Sequence, residues 1–158
     1  MNLAERFKVM PLLTTANIGG SIDCDSVCME DIQKIMFIIS NGIAGGNVTF
    51  SVNSGLTDGA KTNAVPFQYA MGGAAIGTAV AGSVASADVL GASAWASNGS
   101  VALTCSTLMV IIEVDPADIT PGDLWLTLTL ACASGIAHVN AVAQPRYKSN
   151  QSLTELAR

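Results

Sequence analysis

Leu124-Trp-Leu-Thr-Leu-Thr-Leu130 is the stretch whose reading decides the fold. Apolar and polar side chains alternate along it with a period of two, the signature of a strand buried on one face. The pattern predicts Leu124, Leu126, Leu128 and Leu130 on that face. Turn chemistry bounds it, with Pro121-Gly122-Asp123 before and Ser134-Gly135 after. Past the second turn, Ala137-His-Val-Asn-Ala-Val-Ala143 alternates again and reads as a last strand. Ahead of the first turn, Leu108-Met-Val-Ile-Ile-Glu-Val114 is a near-continuous apolar run and reads as a buried strand. Asp115-Pro-Ala-Asp118 follows it as a turn, with proline at the second position, where its fixed φ suits the bend. Val101-Ala-Leu-Thr-Cys105 alternates once more.

The same signals recur nearer the N-terminus. Ile35-Met-Phe-Ile-Ile39 is a continuous apolar run, and Asn47-Val-Thr-Phe-Ser-Val52 alternates with Val48, Phe50 and Val52 on one face. The Asn41-Gly42 and Gly45-Gly46 pairs between them predict a turn, so the two runs read as a hairpin. Asn53 to Gly59 reads as the next turn. Val65-Pro-Phe-Gln-Tyr69 reads as an edge strand, because Pro66 cannot donate to a ladder. Met1 to Leu13 reads as an arm cut by Pro11, and 14–26 as a polar, glycine-rich loop. Residues 145–158 read as a polar tail, with a short helix at 152–158.

Residues 70–96 are built largely from Ala, Gly, Ser and Val. Gly73-Ala-Ala-Ile-Gly77 has the spacing of a helix-dimerisation motif. The segment is nevertheless too rich in glycine, too poor in large aliphatic side chains and too bare of flanking basic residues for a membrane span. A loop or weak strands is the reading adopted. The sum is an all-β chain: a single antiparallel β-sandwich or jelly-roll-like domain over 1–158. It divides into an N-terminal arm and loop (1–33), a β body (34–144) and a C-terminal tail (145–158).

Chemistry-bearing groups are scarce. The chain has one histidine, His138, and only 12% charged residues, so an enzyme is the least favoured class. His138 lies in a strand pattern and reads as a solvent-facing or interface side chain. Gly55-Leu-Thr-Asp-Gly-Ala-Lys-Thr62 lacks the glycine spacing of a phosphate loop and reads as a hairpin loop. Asp23, Asp25, Glu30 and Asp31 match no calcium loop and read as a solvated acidic face. Turn chemistry accounts for Asp115 and Asp118. Cys24 and Cys28 lack the second ligand pair of a zinc site. No secretory signal is read at the N-terminus, so all four cysteines, with Cys105 and Cys132, are expected as free thiols and the sequons at Asn47, Asn98 and Asn150 as idle. No metal and no cofactor is expected. The net charge of −5, with Arg6, Lys8, Lys34, Lys61, Arg146, Lys148 and Arg158 scattered, argues against nucleic acid as a partner. A core of small side chains gains little from burial, so an oligomer or partner is expected to add stability.

Five short segments, in order, resemble the decoration or cement proteins of tailed-phage heads: Glu5-Arg-Phe-Lys8, the Gly-Asn-Val-Thr-Phe-Ser-Val run at 46–52, and Asn63-Ala-Val-Pro66, then Glu113-Val-Asp-Pro-Ala-Asp118 and Gln144-Pro-Arg-Tyr147. The resemblance threads most of the chain and rests on structural, not catalytic, segments. The Ala/Gly-rich stretch and the cysteines depart from it. It implies a non-enzymatic virion protein on the capsid exterior, made in the host cytoplasm. Such a protein bridges subunits of the major capsid protein, often as a homotrimer. Arg6, Phe7, Lys8, Arg146, Tyr147 and Lys148 are the expected partner contacts, since Arg and Tyr are favoured where binding energy concentrates. The rivals are another virion part (tail, head–tail connector or spike subunit) and a jelly-roll glycan-binding module. The latter needs an exposed aromatic platform, for which Trp95 is the candidate.

Overall fold

A computed structural model describes residues 7–41, 47–72, 90–104 and 108–146. They form an antiparallel β-sandwich of two sheets. The strands are β1 (Lys8–Asn17), β2 (Gly20–Asp23), β3 (Val27–Cys28), β4 (Ile32–Asn41), β5 (Val48–Gly55), β6 (Asn63–Ala64), β7 (Phe67–Met71), β8 (Ala94–Ala96), β9 (Ser100–Leu103), β10 (Met109–Val114), β11 (Trp125–Cys132) and β12 (Ile136–Pro145). The first sheet runs β1-β12-β4-β10-β7-β8. The second is centred on β11 and β5, with β2 and β3 on the outer side of β11 and β6 and β9 on the outer side of β5.

One core lies between the sheets. From the second sheet it takes Val48, Phe50, Val52, Leu126, Leu128 and Leu130, all fully buried. The first sheet contributes Ile35, Phe37 and Ile39 on β4 and Val110, Ile112 and Val114 on β10. β12 faces inward with Ala137, Val139, Ala141 and Ala143. Ala141 is the cross-strand partner of Phe37 and Ala143 of Ile35, so large side chains sit beside small ones and the layer fills. Burying each of the large apolar side chains contributes about 1.5–3 kcal/mol.

Several expectations change. The segment read as arm and loop supplies β1 and β2. Lys8 to Asn17 pairs along β12, so the body starts well before residue 34. Pro11 is tolerated because β1 is an edge strand, where a missing N–H costs no ladder bond. The ladder shifts register between Pro11 and Leu13 and again between Leu13 and Ala16. Such irregularity on an edge opposes pairing with another chain. β4 and β5 are not a hairpin: β4 pairs with β12 and β10, and β5 with β11, β6 and β9. The glycine pairs predicted to turn the chain between them fall on 42–46, outside the described residues. β7 is an inner strand between β10 and β8, and Pro66 precedes it, so no ladder donor is missing. Leu124 stands before β11 and is exposed. Its N–H donates to the Gly55 carbonyl at 3.1 Å, which sets where β11 begins. The predicted turns at 115–118 and 121–123 are present. Asp115 caps a 3-10 turn at Pro116–Asp118 by accepting the Ala117 N–H at 2.9 Å, and Gly122 takes φ 97°. The predicted strands or loop of 70–96 fall largely on 73–89, and the predicted helix on 152–158. Both lie outside the described residues.

Candidate functional site

The second sheet presents a polar outer surface. Cross-strand partners share a face, so Asp23, Thr129, Ser51 and Ser100 form one outward row, and Ser21, Ala131, Thr49 and Ala102 the next. These groups satisfy one another. Thr129 Oγ1 donates to Asp23 Oδ1 at 2.7 Å, and the Ser51 and Ser100 hydroxyls pair at 3.0 Å. Lys61 Nζ donates to both Asp23 carboxylate oxygens, at 2.8 and 2.7 Å. The Lys61 hydrogen bond, then that from Thr129, holds the Asp23 carboxyl below its ordinary range.

The 55–62 loop covers one end of this surface. A Cβ added at Gly55 would lie 2.5 Å from Ala60 Cβ and 2.8 Å from its carbonyl oxygen, so the loop packs back on itself only because position 55 is glycine. Under it, Ser26 and Thr127 are buried and their hydroxyls pair at 2.7 Å, while the Gly59 N–H donates to Ser26 Oγ at 3.1 Å. At the loop's base, Asp123 Oδ2 accepts from Asn63 at 2.9 Å and from Ser54 at 2.6 Å, and both bonds lower its pKa. The loop that lacks phosphate-loop spacing is thus the β5–β6 hairpin loop, and its lysine pairs with Asp23.

The first sheet is different outside. One outward row reads Val9, Val142, Met36, Glu113, Gln68, Trp95 across all six strands. The next reads Pro11, Asn140, Ile38, Ile111, Ala70. Met36, Ile38, Ile111 and Val142 are half-buried at the centre, and Val9 and Trp95 at the rims are 64% and 51% exposed. An antiparallel sheet with a solvated face ordinarily carries polar side chains there. Polar side chains enter at Glu113 and Gln68 in the first row, at Asn140 in the second, and in a third row where Ser40 has His138 and Met109 as partners. His138 is thus a half-buried strand side chain on the outer face, as expected.

A groove of about 370 Å³ opens along this face. Phe7, Met36, Val142 and Trp95 supply its apolar lining, and Lys34, Gln68, Glu113, Asp115, Asp118 and Gln144 its polar lining.

Of the expected partner contacts, Phe7 lines the groove and Lys8 begins β1 opposite Ala143. Burial lowers the Lys8 ammonium pKa. Arg146 is exposed just past β12, and its N–H donates to the Asp31 carbonyl at 2.8 Å. Antiparallel pairing of β1 with β12 therefore sets Phe7, Lys8 and Arg146 at one end of the sheet. Arg6, Tyr147 and Lys148 lie outside the described residues. Sequence reasoning missed Met36, Ile38, Ile111 and Val142. For Met36, Ile38 and Ile111 the missed signal was the lack of alternation in 35–39 and 108–112: in an antiparallel sheet, such a run puts apolar groups on both faces.

Cys24, Cys28 and Cys132 are free thiols. Burial, with Asp23 and Asp25 beside it, pushes the Cys24 thiol up to about 12, which keeps it protonated and unreactive. Cys105 lies outside the described residues. Among the described residues no group of three or more His, Cys, Asp or Glu side chains could hold a metal ion, and no helix is long and apolar enough to cross a membrane. No protein-family model matches the chain, and no curated protein matches it significantly.

Proposed function

We propose that this chain is a non-enzymatic structural protein of a virion, which binds the outside of a phage capsid and stabilises it by bridging subunits of the major capsid protein. The observation that carries the reading is the apolar outer face of the first sheet. Met36, Ile38, Ile111 and Val142 give it the apolar centre expected of a surface that another protein covers. The ordered segments that resemble phage head decoration proteins supply the identity of that partner. A homotrimer is the assembly proposed, with Phe7, Lys8 and Arg146 reaching neighbouring subunits from one end of the sheet. The scattered basic residues leave nucleic acid out of the scheme.

The test is to measure the mass of the purified protein in solution, then its co-sedimentation with empty capsids. The expected result is a trimer that pellets with capsids at a saturating, fixed stoichiometry. A protein that stays in the supernatant at every capsid concentration overturns the reading. A hexameric ring that ignores capsids would favour a tail or connector subunit.

A further inference from the structure

We infer that the groove on the outer face of the first sheet is a binding site for a neutral oligosaccharide. The inference goes beyond the capsid reading: the groove shares Met36 and Val142 with the apolar band, whereas Ile38 and Ile111 at the centre of the face lie outside its lining.

The sheet register builds the site. Trp95, Gln68 and Glu113 are successive cross-strand partners, so they stand side by side on one outward row. With strands about 4.8 Å apart, the row from Trp95 to Glu113 spans roughly 10 Å, the length of about two sugar rings. Asp118 stands on the 3-10 turn that follows β10, and Lys34 and Gln144 are partners on β4 and β12. All six line the groove.

Three features select the ligand class. The Trp95 ring is half exposed, and its negative π-face suits the C–H face of a pyranose, whose hydrogens are weakly positive. The polar lining mixes groups that both donate and accept, Gln68 and Gln144, with groups that only accept or only donate, the carboxylates and Lys34. A row of hydroxyls, each able to donate and accept, satisfies that mixture. A basic peptide would use the carboxylates but would face Lys34 with like charge. Finally, Glu113, Asp115 and Asp118 outnumber Lys34 in the lining, which disfavours an acidic saccharide. The groove volume falls within the range of small-molecule sites.

The test uses the whole protein. A labelled sample is applied to an array of neutral and acidic glycans, and each hit is titrated by isothermal titration calorimetry. Neutral glycans are expected to bind. Trp95→Ala should weaken them by about tenfold or more. Trp95→Phe, which keeps a ring, should lose less, and Trp125→Phe on the other sheet should lose nothing. No hit on the array, hits confined to acidic glycans, or neutral binding that survives Trp95→Ala would each overturn the site. An oligolysine peptide that binds in a Trp95-dependent way, with no neutral glycan doing so, would assign the groove to a basic peptide and overturn it too. Capsid co-sedimentation of Trp95→Ala separates the two proposals, because glycan binding can vanish while co-sedimentation stands.

Discussion

Phe37 on β4 and Phe50 on β5 occupy matching inner positions, each fully covered and flanked by Ile, Leu or Val. One residue further along, the strands diverge. Ile38 points outward into a row with Ile111, whereas Ser51 points outward and pairs its hydroxyl with that of Ser100. The second sheet closes its own outer surface: hydroxyls bond to hydroxyls, Lys61 pairs with Asp23, and the 55–62 loop lies over Thr127. The first sheet leaves a half-buried apolar band and a groove. Folding alone is served by either surface, because the core lies between the sheets. The difference is the observation on which the docking proposal rests.

The comparison can be broken first from inside. If the two inner faces are equivalent, Phe37→Ala and Phe50→Ala should each cost about 3–5 kcal/mol in urea unfolding, the usual toll of an emptied aromatic site. A large inequality would mean that one sheet folds around the other. Outside, the sheets should part. Replacing Ile38 and Ile111 together by Asp should weaken capsid co-sedimentation by at least about thirtyfold, with the folded circular dichroism spectrum kept. Ser51→Asp on the opposite face should leave co-sedimentation unchanged. Equal losses from both faces would erase the distinction.

Smaller effects sharpen the picture of the polar face. Thr127→Val takes a hydrogen-bond partner from the buried Ser26 hydroxyl and should cost about 1–3 kcal/mol by thermal or urea unfolding. Lys61→Ala should cost less than about 1 kcal/mol at neutral pH, because Lys61 and Asp23 are 37% and 47% exposed and water screens the pair. Its mark is pH dependence. The folded Asp23 pKa is lowered, so the carboxylate adds stability above its ordinary pKa of about 3.9, and that increment is lost as the pH falls through the folded value. Lys61→Ala should flatten the acid limb of the stability curve below about pH 4. A variant that unfolds in acid with the wild-type profile would show that Thr129 alone lowers the pKa. At the smallest scale, native protein at pH 8 should leave Cys24 unalkylated by iodoacetamide, since its thiol stays protonated. Modification of Cys24 without unfolding would contradict its burial.

Strand identity was legible in the chain because the two-residue period is a local property. Leu126, Leu128 and Leu130 alternate with threonines, and all three are buried. The turns at Asp115 and Gly122 were equally legible, since proline φ and glycine φ are fixed by single residues. Partners were not. Glycine-rich connections look the same whether they close a hairpin or carry the chain across the sandwich. The 41–47 segment reads as the first and joins strands of different sheets. β1 was hidden because its neighbour, β12, lies at the far end of the chain. Of the candidate surface, the sequence pointed to Phe7, Lys8 and Arg146 near the ends, and only antiparallel pairing of those ends brings the three together. The apolar band needed the register as well. Met36, Ile38, Ile111 and Val142 come from three separate strands, and which residues share a face is decided by how those strands align. Composition and period thus determined an all-β chain poor in catalytic groups. The tertiary structure decided which side of which sheet stays open, because pairing between distant strands is a property of the whole chain.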